Sequence, residues 1–216
     1  MDLTSALLAR KSHRAFLDKP VPVELIKEVL KIATNAPSGS NFQPWDIYLT
    51  YGSKMKELIN LFRENKDKGE RDYSPGYSGK VPMKFKKRTN ELFKGLKPYL
   101  KKAGLNNNYI MNGSFEYFNA PASLFLFMDK SLYPARAMCI GSFMTYFTLT
   151  AHAKGLGTCL ILYVRGLEDI IRSFFEVPDN LKFMVSIALG YPDDKHPVNK
   201  FKSGRVPVDE VLKIKA

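Results

Sequence analysis

Apolar residues recur along the chain at two spacings, and these divide it into helices and strands. After Pro22, the positions Leu25, Ile26, Val29, Leu30, Ile32 and Ala33 fall on one helical face while Lys27, Glu28 and Lys31 fall on the other. That helix ends before Pro37. Asp46 to Tyr51 is rich in β-formers and stops at Gly52, where Ser53 is placed to open a helix running to about Asn65. Ala122 to Met128 is a continuous apolar run of strand length, as expected of a strand covered on both faces. A core helix from about Ala135 to Lys154 follows and stops at Gly155. Thr158 to Val164 reads as a strand or extended loop, Leu167 to Phe175 as a short amphipathic helix, and Phe183 to Leu189 as a second buried strand. Four strands among longer helices predict an α+β sandwich, one sheet with helices on both sides.

Two stretches depart from this pattern. From Lys66 to Asn108 the composition shifts to Lys, Gly, Pro and Tyr, with a helix expected between Lys84 and Lys102, so residues 66–115 read as an insertion or lid on a single domain spanning 1–216. The tail from Asp193 to Ala216 is charged and carries Pro197 and Pro207. Such a segment folds only against a neighbour.

The charge changes the picture next. With 33 Lys and Arg against 21 Asp and Glu, the net charge of +12 should draw anions such as phosphorylated cofactors, acidic small molecules or nucleic acid. Lys84-Phe85-Lys86-Lys87-Arg88 with Lys94, Lys97, Lys101 and Lys102 has a composition that could bind RNA, steer anionic substrates, or simply be a solvated helix face. Cys139 and Cys159 lie in apolar stretches, which argues for a reducing, cytoplasmic compartment rather than a disulfide framework. The first residues lack the charged and apolar regions of a signal peptide, and the apolar run 137–151 falls short of the ~20 residues of a membrane span. His13, His152 and His196 are isolated, so no metal site is expected. Gly155-Leu156-Gly157 lacks the third glycine of a dinucleotide turn, and no Gly-x-Ser-x-Gly occurs.

Two segments remain as candidate chemistry. In Arg10-Lys11-Ser12-His13-Arg14, two guanidiniums four residues apart flank a hydroxyl, a set suited to phosphate oxygens, although a solvated basic turn has the same composition. In Pro37-Ser38-Gly39-Ser40-Asn41-Phe42-Gln43, glycine permits close backbone approach while hydroxyls and amides supply donors and acceptors for a heterocycle edge or a sugar-like chain.

The run R-K-S-H-R-A-F followed after one helix by A-P-S-G-S-N-F-Q-P-W resembles the nitroreductase family, and further matches span the chain. They are Asn119-Ala120-Pro121, Lys154 to Thr158, Ala188 to Pro192, and Arg205 to Glu210, and the pattern is most similar to the branch of nitrobenzoate-type reductases. That branch tends to carry an acid and a glutamine where this core helix has Cys139 and Thr145.

The resemblance implies a nitroreductase-like sandwich with a central mixed sheet and a domain-swapped C-terminal tail, assembled as a homodimer with FMN at the interface. It implies a phosphate and ribityl site of Arg10, Lys11, Ser12 and Arg14 with Lys202 and Arg205, Arg205 above Lys202. Pro37, Ser38, Gly39, Ser40, Asn41 and Gln43 would come from the other subunit. Leu160, Ile161 and Leu162 would lie against the flavin ring with a backbone N–H near its reactive nitrogen. The flavin carries the chemistry, with no catalytic side chain. Electrons would pass from NADH or NADPH to a nitroaromatic, quinone or similar flat acceptor by a ping-pong mechanism, past an opening lined by Tyr73, Tyr77, Phe85, Phe115, Tyr117 or Phe118. Reductive dehalogenation, flavin breakdown, and phosphorylated-ligand or RNA binding without turnover are the alternatives.

Overall fold

The computed structural model describes residues 2–67 and 81–215. Its sheet has four strands in the order β1-β2-β4-β3: β1 (Asp46–Tyr51), β2 (Ala122–Asp129), β3 (Gly157–Ile161) and β4 (Leu181–Gly190). All three pairings are antiparallel, which corrects the mixed sheet expected from the sequence. The parallel contact among the described residues is a single bridge, Ser12 beside Thr158, on the outer edge of β3. Direction is set by how the connections travel, and strand patterning carries no record of that.

The apolar run of β2 is buried along its length because helices cover both faces of the sheet. On one face α2 (Val23–Ala33) and α6 (Ala137–Ala153) bury Ile26, Val29, Phe143 and Phe147 against Leu124, Leu126 and Ile187. On the other, α3 (Gly52–Asn65) and α7 (Glu168–Phe175) bury Leu58, Phe62 and Ile171 against Phe125, Phe127 and Phe183. Alternation along each strand produces the two sets. α6 ends where Gly155 takes φ +77° and Leu156 N–H returns to Ala151 O at 2.8 Å, a turn that glycine adopts without strain.

The remaining helices are α1 (Leu3–Ala9), α4 (Met83–Lys102), α5 (Tyr109–Phe115) and the one-turn α8 (Val208–Val211). Leu96 and Leu100 of α4 close a third cluster with Ala15, Val198 and Phe201, so the basic helix is packed where the N-terminal segment meets the start of the tail. Among the described residues, no helix is long and apolar enough to cross a membrane.

Candidate cofactor site

The segment Arg10 to Arg14 leaves α1 and runs along the outer edge of β3, where His13 N–H donates to Thr158 O at 2.9 Å. Its course is fixed from the far end of the chain. Asn199, fully buried, accepts from Arg14 N–H on Oδ1 at 2.7 Å and donates from Nδ2 to Ala15 O at 2.8 Å and Asp193 O at 2.9 Å, while Lys11 Nζ donates to its carbonyl. The Tyr109 hydroxyl of α5 donates to Arg14 O at 2.5 Å. No local pattern singles out Asn199 or Tyr109, since their partners lie 185 and 95 residues away.

This clamp opens a cleft of about 480 Å³ lined by Arg10, Lys11, Ser12 and Arg14 on one side and Lys202, Ser203 and Arg205 on the other. Among the described residues the cleft therefore gathers five cations and two hydroxyls, and no carboxylate lines it. Burial, and then the neighbouring Arg205, pull the Arg10 guanidinium below its ordinary pKa. Cations assembled at a cost in desolvation and mutual repulsion have the chemistry to bind an anion with several oxygens, such as a phosphate monoester.

His13 points the other way. It is buried against Gly157, where a Cβ would lie 2.9 Å from the imidazole, and its Nδ1 has no hydrogen-bond partner among the described residues. Burial, and then Lys11, push its pKa down to about 4, so the ring is neutral and adds nothing to the anion site at neutral pH. Burial likewise pushes the Cys159 thiol up, which makes it a core residue and not a nucleophile.

Past Thr158, the outer edge of β3 runs on beyond its bridge with Ser12. Thr158 turns its carbonyl outward to His13, so the alternation of an antiparallel strand turns Leu160 outward and Ile161 toward β4. Leu160 and Leu162 are 46% and 49% exposed, whereas Ile161 is 1% exposed in the core, so two of the three expected ring contacts present side chains and Ile161 does not.

The polar loop does not join this cleft within one chain. Ser40, Asn41 and Gln43 take φ of +54°, +56° and +48°, and Gln43 N–H donates to Ser38 Oγ at 3.0 Å. Arg136, ahead of α6, donates to Gly39 O at 2.7 Å and stacks its guanidinium 3.9 Å from the Phe42 ring centre. The loop is thus a preformed, exposed surface anchored on α6, and none of Pro37, Ser38, Gly39, Ser40, Asn41 and Gln43 reaches the Arg10 cleft.

The expected substrate-facing aromatics separate. Tyr117 and Phe118 are 0% and 4% exposed inside the core beneath the sheet, on a backbone with φ of +51° and +53°. Phe115 is partly buried, its ring 6.3 Å from that of Tyr163, which stands beside Leu162. Phe85 lies half-exposed on α4 between Lys84 and Arg88. Tyr73 and Tyr77 lie outside the described residues.

A comparison with known families finds the "Nitroreductase family", matched over residues 7–191. The chain belongs to the nitroreductase family. Within it, this nitroreductase-family chain is 28% identical over 207 residues to the 4-nitrobenzoate reductase of Pseudomonas putida, covering 94% of this chain and 91% of that one, which bears out the nitrobenzoate-reductase branch. It is 28% identical over 212 residues to the chloronitrobenzene nitroreductase of Comamonas testosteroni, covering 93% and 91%. The crystal structure of an FMN and NADPH-dependent nitroreductase from Sphigopyxis sp. strain HMH superposes with a TM-score of 0.92 at 24% identity over the full length of both chains, which establishes the shared fold.

Proposed function

We propose that this chain is an FMN-dependent oxidoreductase that takes electrons from NADH or NADPH and delivers them to nitroaromatic, quinone or similar flat acceptors in two successive half-reactions. The observation that carries the reading is the cleft of Arg10, Lys11, Ser12, Arg14, Lys202 and Arg205, which no carboxylate of the described residues lines, in a chain of this family. Its donor set suits a phosphate monoester better than a free carboxylate, since guanidinium forks and a hydroxyl match three or more oxygens at once. Bound FMN would supply hydride transfer in both directions. The protein's part is to hold the phosphate in that cleft and to leave a flat apolar seat at Leu160 and Leu162. It also aims backbone donors along the open edge of β3 and keeps Cys139 and Cys159 as buried free thiols suited to a reducing compartment. Phe115 and Phe85 remain candidates for the walls through which donor and acceptor enter in turn.

A homodimer completes the same reading. The anchored loop from Pro37 to Gln43 carries its polar groups away from its own chain's cleft, which suits a role in the cleft of a second copy. Leu3, Leu7 and Leu8 on α1, Met138 and Tyr146 on α6, and Val208, Val211, Leu212 and Ile214 of the tail are exposed large apolar residues that association would cover. Among the described residues β1 presents an unpaired edge, for which the extended end of the tail beyond Leu212 is a suitable partner from another chain.

The test is a visible absorption spectrum of the purified protein with added FMN, followed anaerobically by NADPH or NADH. A yellow protein that bleaches and regains colour with a nitroaromatic or quinone supports the assignment, and one that retains no FMN after desalting ends it. Reductive dehalogenation is a second reading, favoured by 27% identity over 188 residues to the iodotyrosine deiodinase of Thermotoga neapolitana. Release of halide from a halophenol, in place of nitro-group reduction, would select it.

A further inference from the structure

A pair of hydroxyls lies where no hydroxyl is needed for packing. Tyr117 and Ser186 are both fully buried within or beside a cluster of aromatic and aliphatic side chains, and Tyr117 Oη lies 2.8 Å from Ser186 Oγ. Ser186 Oγ in turn donates to Ile161 O at 3.1 Å, so the proton order along the chain is Tyr117 O–H to Ser186 O–H to the Ile161 carbonyl. Phenylalanine and alanine would fill the same space without burying polar atoms. Ser123, whose hydroxyl donates to Ile187 O at 3.1 Å, is the other polar group against the phenol.

Reaching this position strains the backbone. Tyr117, Phe118 and Asn119 take φ of +51°, +53° and +60° in succession, a left-handed turn that costs about 1–2 kcal/mol per residue for L-amino acids. The neighbouring helix accommodates it at Gly113, where a Cβ would lie 2.5 Å from the Phe118 ring. The Tyr117 ring packs 5.9 Å from Phe62 and 5.7 Å from Phe125.

What the relay reaches gives it a purpose. No cis peptide bond occurs among the described residues, so the Ile161 carbonyl and the Leu162 N–H of one planar peptide point in opposite directions. The carbonyl faces β4 and Ser186. The Leu162 N–H therefore faces the open edge of β3, next to the exposed Leu160 and Leu162 side chains and along the same edge as the cation cleft. A donor to the carbonyl polarises the whole peptide, and each bond in such a series strengthens the next by about 10–30%.

We propose that the Tyr117–Ser186 hydroxyl pair is a positioning relay that fixes the 161–162 peptide from behind the sheet and strengthens its outward N–H as a hydrogen-bond donor to the redox ring of the bound cofactor. This rests on the FMN assignment above. The two side chains touch neither cofactor nor substrate, and act through the peptide alone. Removing the phenol hydroxyl weakens the donor, and removing the serine hydroxyl weakens it further, because Ser186 is the link in contact with the carbonyl.

The test uses the full chain with Tyr117→Phe, Ser186→Ala, the double variant, and Ser123→Ala as a control. The first readout is the Leu162 amide proton in NMR spectra recorded before FMN is added. It should move upfield in Tyr117→Phe and further in Ser186→Ala, with the Leu160 amide unmoved. The double variant should match Ser186→Ala alone, as links in series require, and Ser123→Ala should leave Leu162 in place. The double variant also removes both buried hydroxyls together, which keeps the comparison open should Ser186→Ala alone fold poorly. The second readout is the visible spectrum and midpoint potential of bound FMN, which should shift in the same order, the potential becoming more negative, with FMN affinity changed less than about threefold because the phosphate cleft is untouched. An unmoved Leu162 amide in Tyr117→Phe overturns the relay, as do additive single effects. An unchanged FMN spectrum and potential in Ser186→Ala overturns its action on the ring. A wild-type chain that binds no FMN overturns the function proposed above, and the amide shifts then decide the relay by themselves.

Discussion

Two polar segments of this chain, one cationic and one uncharged, have opposite structural fates. Arg10 to Arg14 is held by side chains from the far end of the chain and meets Lys202 and Arg205 across a cleft, so these cations are brought together within one copy. Pro37 to Gln43 is held as firmly, by Arg136, yet faces away from every cation of that cleft. Under the proposed dimer, such a loop would serve a second copy, and the contrast would separate what one chain completes from what assembly adds.

The largest effect is expected where the cleft's charge is reversed. Arg10→Glu should weaken FMN binding by at least about 1,000-fold, roughly 4 kcal/mol, through loss of charge-assisted bonds and added repulsion, and titration of flavin fluorescence measures it. Stability without FMN should change little, since Arg10 is already opposed by burial and by Arg205. An Arg10→Glu chain that still holds FMN would remove the basis of the comparison.

Next comes the clamp. Asn199→Leu leaves the Arg14 N–H and two carbonyls without their partner, so urea unfolding should show a loss of about 3 kcal/mol, together with weaker FMN binding. Acid should produce a change of similar or smaller size. The His13 imidazole ionises near pH 4 when folded and near its ordinary 6.5 when unfolded, so between those values the unfolded chain binds the extra proton and stability falls as pH falls. The total is on the order of 2–3 kcal/mol, and a His13→Gln variant should show a flatter stability profile from pH 6.5 to 4.

The smallest effect sharpens the contrast most. Arg136→Ala frees the loop without touching the cleft, so the melting temperature should hold while FMN affinity drops about tenfold, provided the loop serves a second copy's site. Unchanged affinity would leave the Pro37–Gln43 loop without a role in cofactor binding.

Much of the fold was legible in the sequence because burial leaves a periodic trace. The spacing of Leu25, Ile26, Val29 and Leu30, the unbroken run of β2, and the glycine stop at Gly155 each report a local preference that the tertiary structure keeps. The direction of the strands was not legible, since a strand's pattern is the same whichever way its neighbour runs. The residue types of the basic segment allowed an anion site or a solvated turn alike, while the tail's place opposite it came through resemblance. Asn199 and Tyr109 left no signal because their partners are tertiary. Tyr117 and Phe118 were expected to line the opening with the other aromatics of that region, and they lie instead in the core on a backbone whose three positive φ values are invisible in composition.

That left-handed turn also determines how this protein would answer random mutagenesis. Branched side chains such as isoleucine and valine are excluded from positions 117 to 119 by the sign of φ alone, and any residue larger than glycine is resisted at 113 by the Phe118 ring. A survey of tolerated substitutions would therefore mark this short stretch as sharply as a ligand contact, although no side chain in it reaches the cleft. The intolerance would measure backbone handedness, and only asparagine at 119, the residue type most at ease in that conformation, would be exchanged for glycine at little cost.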